Sequence, residues 1–201
     1  GCLSLGDFAG ARKIYTDMLS DDLFNRDIRA AIVYSSFWER RKLKYDTVSG
    51  HIAKGKFLIS QWKSFVIFTR KWGRGRGEYI ITRIRQRIFN EALYSFTRAK
   101  NEVMVADGDI LFCIGICHKW LGNHRDALTN LENANYKKQN DASILAELAD
   151  CMAVMGEERK SRLLFREAFF LNPQMVDIDF LESEIIRELA DRIRNDGYSE
   201  R

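Results

Sequence analysis

GDILFCIGICHKWLGNHRDALTNLENANYKKQN (Gly108–Asn140) is followed directly by DASILAELADCMAVMGEERKSRLLFREAFFLNPQM (Asp141–Met175), and the second stretch restates the first at a fixed distance. Gly122 is answered by Gly156, Leu131 by Phe165 and Ala134 by Ala168, each 34 residues later. Self-similarity at that period marks stacked helix pairs, in which each unit needs a neighbour to bury its apolar face. The residue types fit such a pair. Small Gly115 and Ala149 let the partner helix come close, and the larger Leu131 and Phe165 fill the gap. Gly122 and Gly156 allow a left-handed turn after the first helix. Asn123 and Asp141 read as N-caps, and Asn172-Pro173 as a helix stop.

Working outward, the composition agrees with a helical chain. One proline and 13 glycines in 201 residues exclude a loop-rich sandwich, and long segments rich in Ala, Leu, Ile, Arg and Glu favour helix. The fold class expected is all-α. Even the apolar run Phe65–Phe68 is flanked by Lys63, Arg70 and Lys71, so it falls short of the ~20 apolar residues of a membrane span.

A triplet spaced by four and three residues occurs five times: Ala11/Tyr15/Met18, Ala53/Phe57/Ser60, Ala92/Phe96/Ala99, Ala127/Leu131/Ala134 and Ser161/Phe165/Ala168. Each triplet lies on one helix face. The steps between copies shorten from 42 and 39 to 35 and 34, so the upstream helices or loops are longer. Apolar spacing predicts helices over about 27–44, 49–71 and 78–100.

These residues carry a resemblance to the tetratricopeptide repeat family, whose 34-residue unit is two antiparallel helices. In the unit from Gly108 the family's first-helix pattern falls on Leu111, Ile114, Gly115 and His118, its turn on Gly122, and its second-helix pattern on Ala127, Leu131 and Ala134. The next unit repeats it with Leu145, Leu148, Ala149, Met152, Gly156, Ser161, Phe165, Ala168 and Pro173. His118 and Met152 stand where the family prefers Tyr, and Gln139 where it prefers Pro.

The resemblance implies a right-handed α-solenoid of antiparallel helix pairs, with longer irregular helices in the N-terminal half. Residues 1–201 then form a single array: 1–25 the end of a cut repeat, 26–105 degenerate basic repeats, 108–175 two regular units, and 176–201 the start of a further repeat or a capping helix. Both end units look cut, so a piece of a longer array is expected. The resemblance further implies a non-catalytic scaffold or adaptor, whose concave groove binds a peptide or helix of a protein partner, with self-association along the array a further option. An envelope or motility complex of a bacterium would suit such an array. The groove residues expected are Phe112, Ile116, Lys119, Trp120, Glu147 and Asp150. Phe112, Ile116 and Trp120, at i, i+4 and i+8, are either a helix-in-groove anchor or core covered by the helix before Lys100.

The charge distribution supports an alternative function. The net charge is +4, but from Glu39 to Arg87 fourteen Lys and Arg face three acidic residues, a local +11 that leaves −7 elsewhere. Such asymmetry suits an anion-binding helical module for RNA or an anionic membrane surface. Its candidates are Lys56, Lys63, Arg70, Lys71, Arg74 and Arg76. The helix from Phe57 to Trp72 sets a broad apolar arc against a basic stripe, which equally fits a central helix packed on two sides. Gly73-Arg74-Gly75-Arg76-Gly77 lacks the spacing of a phosphate loop and reads as an interhelical connection.

Cys2, Cys113, Cys117 and Cys151 have no disulfide-scaffold spacing, which favours a reducing compartment such as the cytoplasm and leaves a bacterial periplasm open. The last three read as small core residues. His51, His118 and His124 lie in no catalytic motif, so no enzyme activity, metal or cofactor is expected.

Overall fold

The computed structural model of the protein describes residues 2–71, 77–102, 107–184, 186–188 and 192, with the backbone alone at 4, 5 and 71. It is all-α, with no strand among the described residues. Its helices are α1 (Cys2–Leu5), α2 (Phe8–Asp21), α3 (Arg26–Thr47), α4 (His51–Lys71), α5 (Glu78–Asn101), α6 (Gly108–Trp120), α7 (His124–Lys137), α8 (Ala142–Val154) and α9 (Glu158–Leu171). Short 3-10 turns follow at Pro173–Met175 and Ile178–Phe180. No helix among the described residues is long and apolar enough to cross a membrane. Where the sequence reading has one array, the chain divides into two compact units, Gly1–Ala99 and Lys100–Arg201.

In the first unit, side chains satisfy the free N–H groups at helix starts. Asp7 accepts from Gly10 N at 2.9 Å to cap α2, and Asn25 accepts from Asp27 N and Ile28 N to cap α3. Aromatic rings hold the helices together. Trp38 of α3 meets Phe8 of α2 at 6.1 Å between ring centroids and Trp62 of α4 at 6.5 Å. Trp62 in turn meets Phe89 of α5 at 5.5 Å. Tyr34, Trp38, Trp62, Phe65, Phe89 and Phe96 are all fully buried. Each such ring stabilises by about 1.5–3 kcal/mol, with about 0.5–1.5 more for a well-placed aromatic pair. The close approach of α4 to α5 depends on Gly55, since a Cβ there would lie 2.5 Å from the Phe96 ring.

The second unit is two helix pairs, α6 with α7 and α8 with α9. Gly115 lies against Leu131, where a Cβ would come within 2.7 Å of Leu131 Cγ. Ala149 and Phe165 share a core cluster one repeat later. Gly122 and Gly156 take φ of 81° and 85°, the left-handed turn that ends each first helix. Asp141 caps α8, accepting from Ser143 N and Ile144 N. Asn123 holds the corresponding position before α7 with no side-chain cap bond. Cys117 and Cys151 are buried among these helices, and burial pushes the Cys151 thiol up to about 11. Burial likewise raises Cys117 well above the ordinary thiol value.

Candidate functional site

The second unit contains a buried charge cluster. Lys119 lies in the last turn of α6, and Glu147 and Asp150, three residues apart, share one face of α8. Lys119 Nζ donates to Glu147 Oε2 and, at 2.5 Å, to Asp150 Oδ2. Lys119 and Asp150 have no solvent exposure and Glu147 retains 5%. Burial acts to lower the pKa of the Lys119 ammonium, but the charges of Glu147 and Asp150 and its hydrogen bonds to both outweigh it. The net shift is upward.

Backbone N–H groups also reach the cluster. Asp150 accepts from Glu182 N at 2.9 Å and from Ser183 N at 2.8 Å. Ser183 Oγ accepts from Ile186 N at 3.4 Å, the N-cap arrangement for the helical residues that begin at Glu184. Asp150 therefore holds the N-terminus of a further helical segment, where a carboxylate is favoured by the aligned peptide dipoles.

Apolar contacts bring that segment onto α6 and α8. Phe180 lies against Trp120 with ring centroids 4.8 Å apart, and Lys119 Nζ is 5.8 and 5.9 Å from the two ring centres. Val176, Leu181 and Ile186 pack with Leu145, Ala146, Ala149, Phe165 and Ala168. Ser143 Oγ donates to the Met175 carbonyl at 3.0 Å. Residues 176–186 thus lie across positions that the 34-residue register assigns to the concave face.

This corrects the expectation of an open groove. Lys119, Glu147 and Asp150 are brought together, but as a satisfied internal cluster instead of polar groups awaiting a peptide. Ile116 and Trp120 are buried, at 4% and 8% exposure, and Phe112 is half-buried against the cluster around Leu111, Leu131 and Leu148. The physical reason is the chain after Pro173. A helix starting at 176, 34 residues after Ala142, would repeat the pattern, but residues 176–183 take only a 3-10 turn and fold back over α8.

Sequence reasoning missed Phe180, Leu181, Glu182 and Ser183. The available signals were Ser183 three residues before apolar Ile186, and a lone aromatic-aliphatic pair set among Asp177, Asp179 and Glu182.

Of the anion-binding candidates, Lys56, Lys63 and Arg70 recur every seven residues along one face of α4. Lys56 and Arg70 are exposed on α4, Lys63 is half-buried, Lys71 ends the helix, and Arg74 and Arg76 lie outside the described residues. Trp72 and most of the Arg-Gly connection also lie outside them. Part of the basic charge is engaged within the first unit. The Arg41 guanidinium sits 3.2 Å over the Phe37 ring and donates to Gln61, and Arg87 pairs with Glu91. Burial, reinforced by a hydrogen bond with Glu91, pushes the Tyr45 hydroxyl up to about 12.

In comparisons with known proteins, no family model, curated protein or solved structure matches the chain.

Proposed function

We propose that the protein is a non-catalytic scaffold of the tetratricopeptide-repeat kind, a right-handed stack of helix pairs that holds a partner protein in an assembly. The observation that carries this reading is the repeated close contact in the second unit, Gly115 with Leu131 and Ala149 with Phe165, at the sequence period of 34 residues. Repeated helix pairs build extended surfaces, and extended surfaces serve binding. Exposed apolar side chains on α9 and α7 add support, with Leu163 and Phe170 seven residues apart on one face and Phe170 80% exposed. The partner is a protein, with a second copy of this chain included.

The test is photo-crosslinking from residue-specific probes at Phe170 and Tyr136, both exposed, in cells that make the intact protein. The expected result is one discrete protein adduct from Phe170 that an exposed probe at Lys13 of the first unit does not give. Equal, diffuse crosslinking from all positions would remove the scaffold reading. Salt-dependent retention of RNA or anionic vesicles that disappears on neutralising Lys56 and Arg70 would favour the anion-binding alternative.

A further inference from the structure

We propose that the exposed face of α5 is a binding site for single-stranded nucleic acid, with one base seated in the cavity beside Tyr79 and the strand running along the helix to Tyr94. The site belongs to the first unit, whereas the scaffold reading is probed at Phe170 of the second.

One chemical pattern occurs twice on that face. Arg83 lies one turn after Tyr79, its guanidinium 5.2 Å from the ring centroid and its Nε donating to the hydroxyl at 3.2 Å. Arg98 lies one turn after Tyr94 in the same way, at 5.5 Å and 3.1 Å. Both rings nevertheless remain open to solvent, at 68% and 57% exposure. Tyr79, Arg83, Gln86, Asn90, Tyr94 and Arg98 follow spacings of four and three residues, so they share one face, and all six are exposed. None of them is acidic or aliphatic. Two cations without a carboxylate call for an anionic ligand, and without an aliphatic side chain these six positions have nothing to insert into a membrane.

The first pair adjoins a cavity of about 300 Å³, lined by Tyr79 and Arg83 together with Leu3, Ala11, Ile14 and Tyr15. That volume is at the lower end of small-ligand pockets and admits one planar ring system. Its aromatic and aliphatic walls suit an unstacked base, and Arg83, with Tyr79 as its partner and no carboxylate among the described residues, supplies the charge for the attached phosphate. Tyr79 and Tyr94 are about 22 Å apart along the helix. Stacked nucleotides recur every ~3.4 Å along a strand. The two rings therefore engage different nucleotides, which selects a strand over a free nucleotide. Stacking on tyrosine also requires bases that are not paired and stacked in a duplex.

The experiment is fluorescence anisotropy of a labelled, mixed-sequence single strand of about eight nucleotides with the full chain at low salt. The strand binds at least tenfold more tightly than a duplex of the same length or adenosine monophosphate. Tyr79→Ala and Tyr94→Ala each weaken binding at least fivefold, and Tyr79→Phe preserves it. Arg83→Gln lowers the slope of log affinity against log salt concentration by about 0.7, the share of one phosphate contact on a single strand. No binding at low salt, equal binding of the duplex or the mononucleotide, or affinity unchanged in both alanine variants overturns the proposal. So does binding that is lost on neutralising Lys56 and Arg70 but kept on removing Tyr79 and Tyr94, which places the anion on α4. Both rings are mostly exposed, so the alanine variants keep the far-ultraviolet circular dichroism of the unchanged chain; loss of helix together with loss of binding would make the two residues structural and overturn the site.

Discussion

The two units use the same device for bringing helices together and opposite chemistry for holding them. In each, a glycine faces a large side chain: Gly55 against Phe96 in the first, Gly115 against Leu131 in the second. Around that contact the first unit fills its interior with aromatic rings, from Phe8 through Trp38 and Trp62 to Phe89. The second uses Ala, Leu and Ile on α6 to α9 and places an ion cluster beneath residues 176–186. A core of small side chains keeps its helices close, and there Lys119, Glu147 and Asp150 give the segment over them one defined position through directional bonds.

The largest effects break that contrast at its centres. Lys119→Met removes the buried cation that Glu147 and Asp150 share, and destabilises the second unit by about 3–5 kcal/mol. Trp62→Ala opens a cavity in the first unit at a cost of about 3–5 kcal/mol. Hydrogen exchange resolved by residue checks both: the first variant speeds exchange on α8 and not on α3, and the second does the reverse. Loss of protection in both units from either change would show that they do not behave as separate cores.

Intermediate effects come from the shared device. Gly55→Ala and Gly115→Ala each force a methyl group into a neighbouring side chain, and overpacking of this kind costs about 1–3 kcal/mol. Gly55→Ala should cost more, because the Phe96 ring at 2.5 Å is stiffer than the Leu131 side chain at 2.7 Å. Denaturant midpoints of the two variants measure the difference.

The pattern that makes helix pairs was legible in the sequence, while the pattern that closes them over was less so. Gly122, Gly156, Gly115 and Leu131 act through contacts within one repeat, so their spacing announces their roles. The helix limits in the first half, expected at about 27–44, 49–71 and 78–100, fall at 26–47, 51–71 and 78–101 because apolar periodicity is local. Lys119, Glu147 and Asp150 were visible as one face, but their pairing spans 28 and 31 residues and depends on the two helices packing side by side. The folding back of residues 176–186 was hidden for another reason. The repeat register predicts a helix there, and the competing choice, an aromatic side chain reaching Trp120 and backbone N–H groups reaching Asp150, has no period to reveal it.

The smallest effect is a pH dependence confined to the second unit. The folded state raises the Lys119 pKa above its ordinary value of 10.5, so the stabilisation from this group is complete below that value. It is lost progressively as the pH rises beyond 10.5 toward the higher folded value. Melting temperature followed above pH 10 should fall faster for the second unit of the unchanged chain than for Lys119→Met, which has no such proton to lose. Identical slopes would mean that the lysine is not held charged by its two carboxylates.

The central claim is that the chain after Pro173 folds back over α6 and α8 of the second unit. Proton-proton Overhauser contacts in the isotope-labelled full chain test it most directly. The account predicts cross-peaks between the Trp120 indole and the Phe180 ring, whose centroids lie 4.8 Å apart. A Trp120 indole with no contact to Phe180 and with free access to solvent would contradict it.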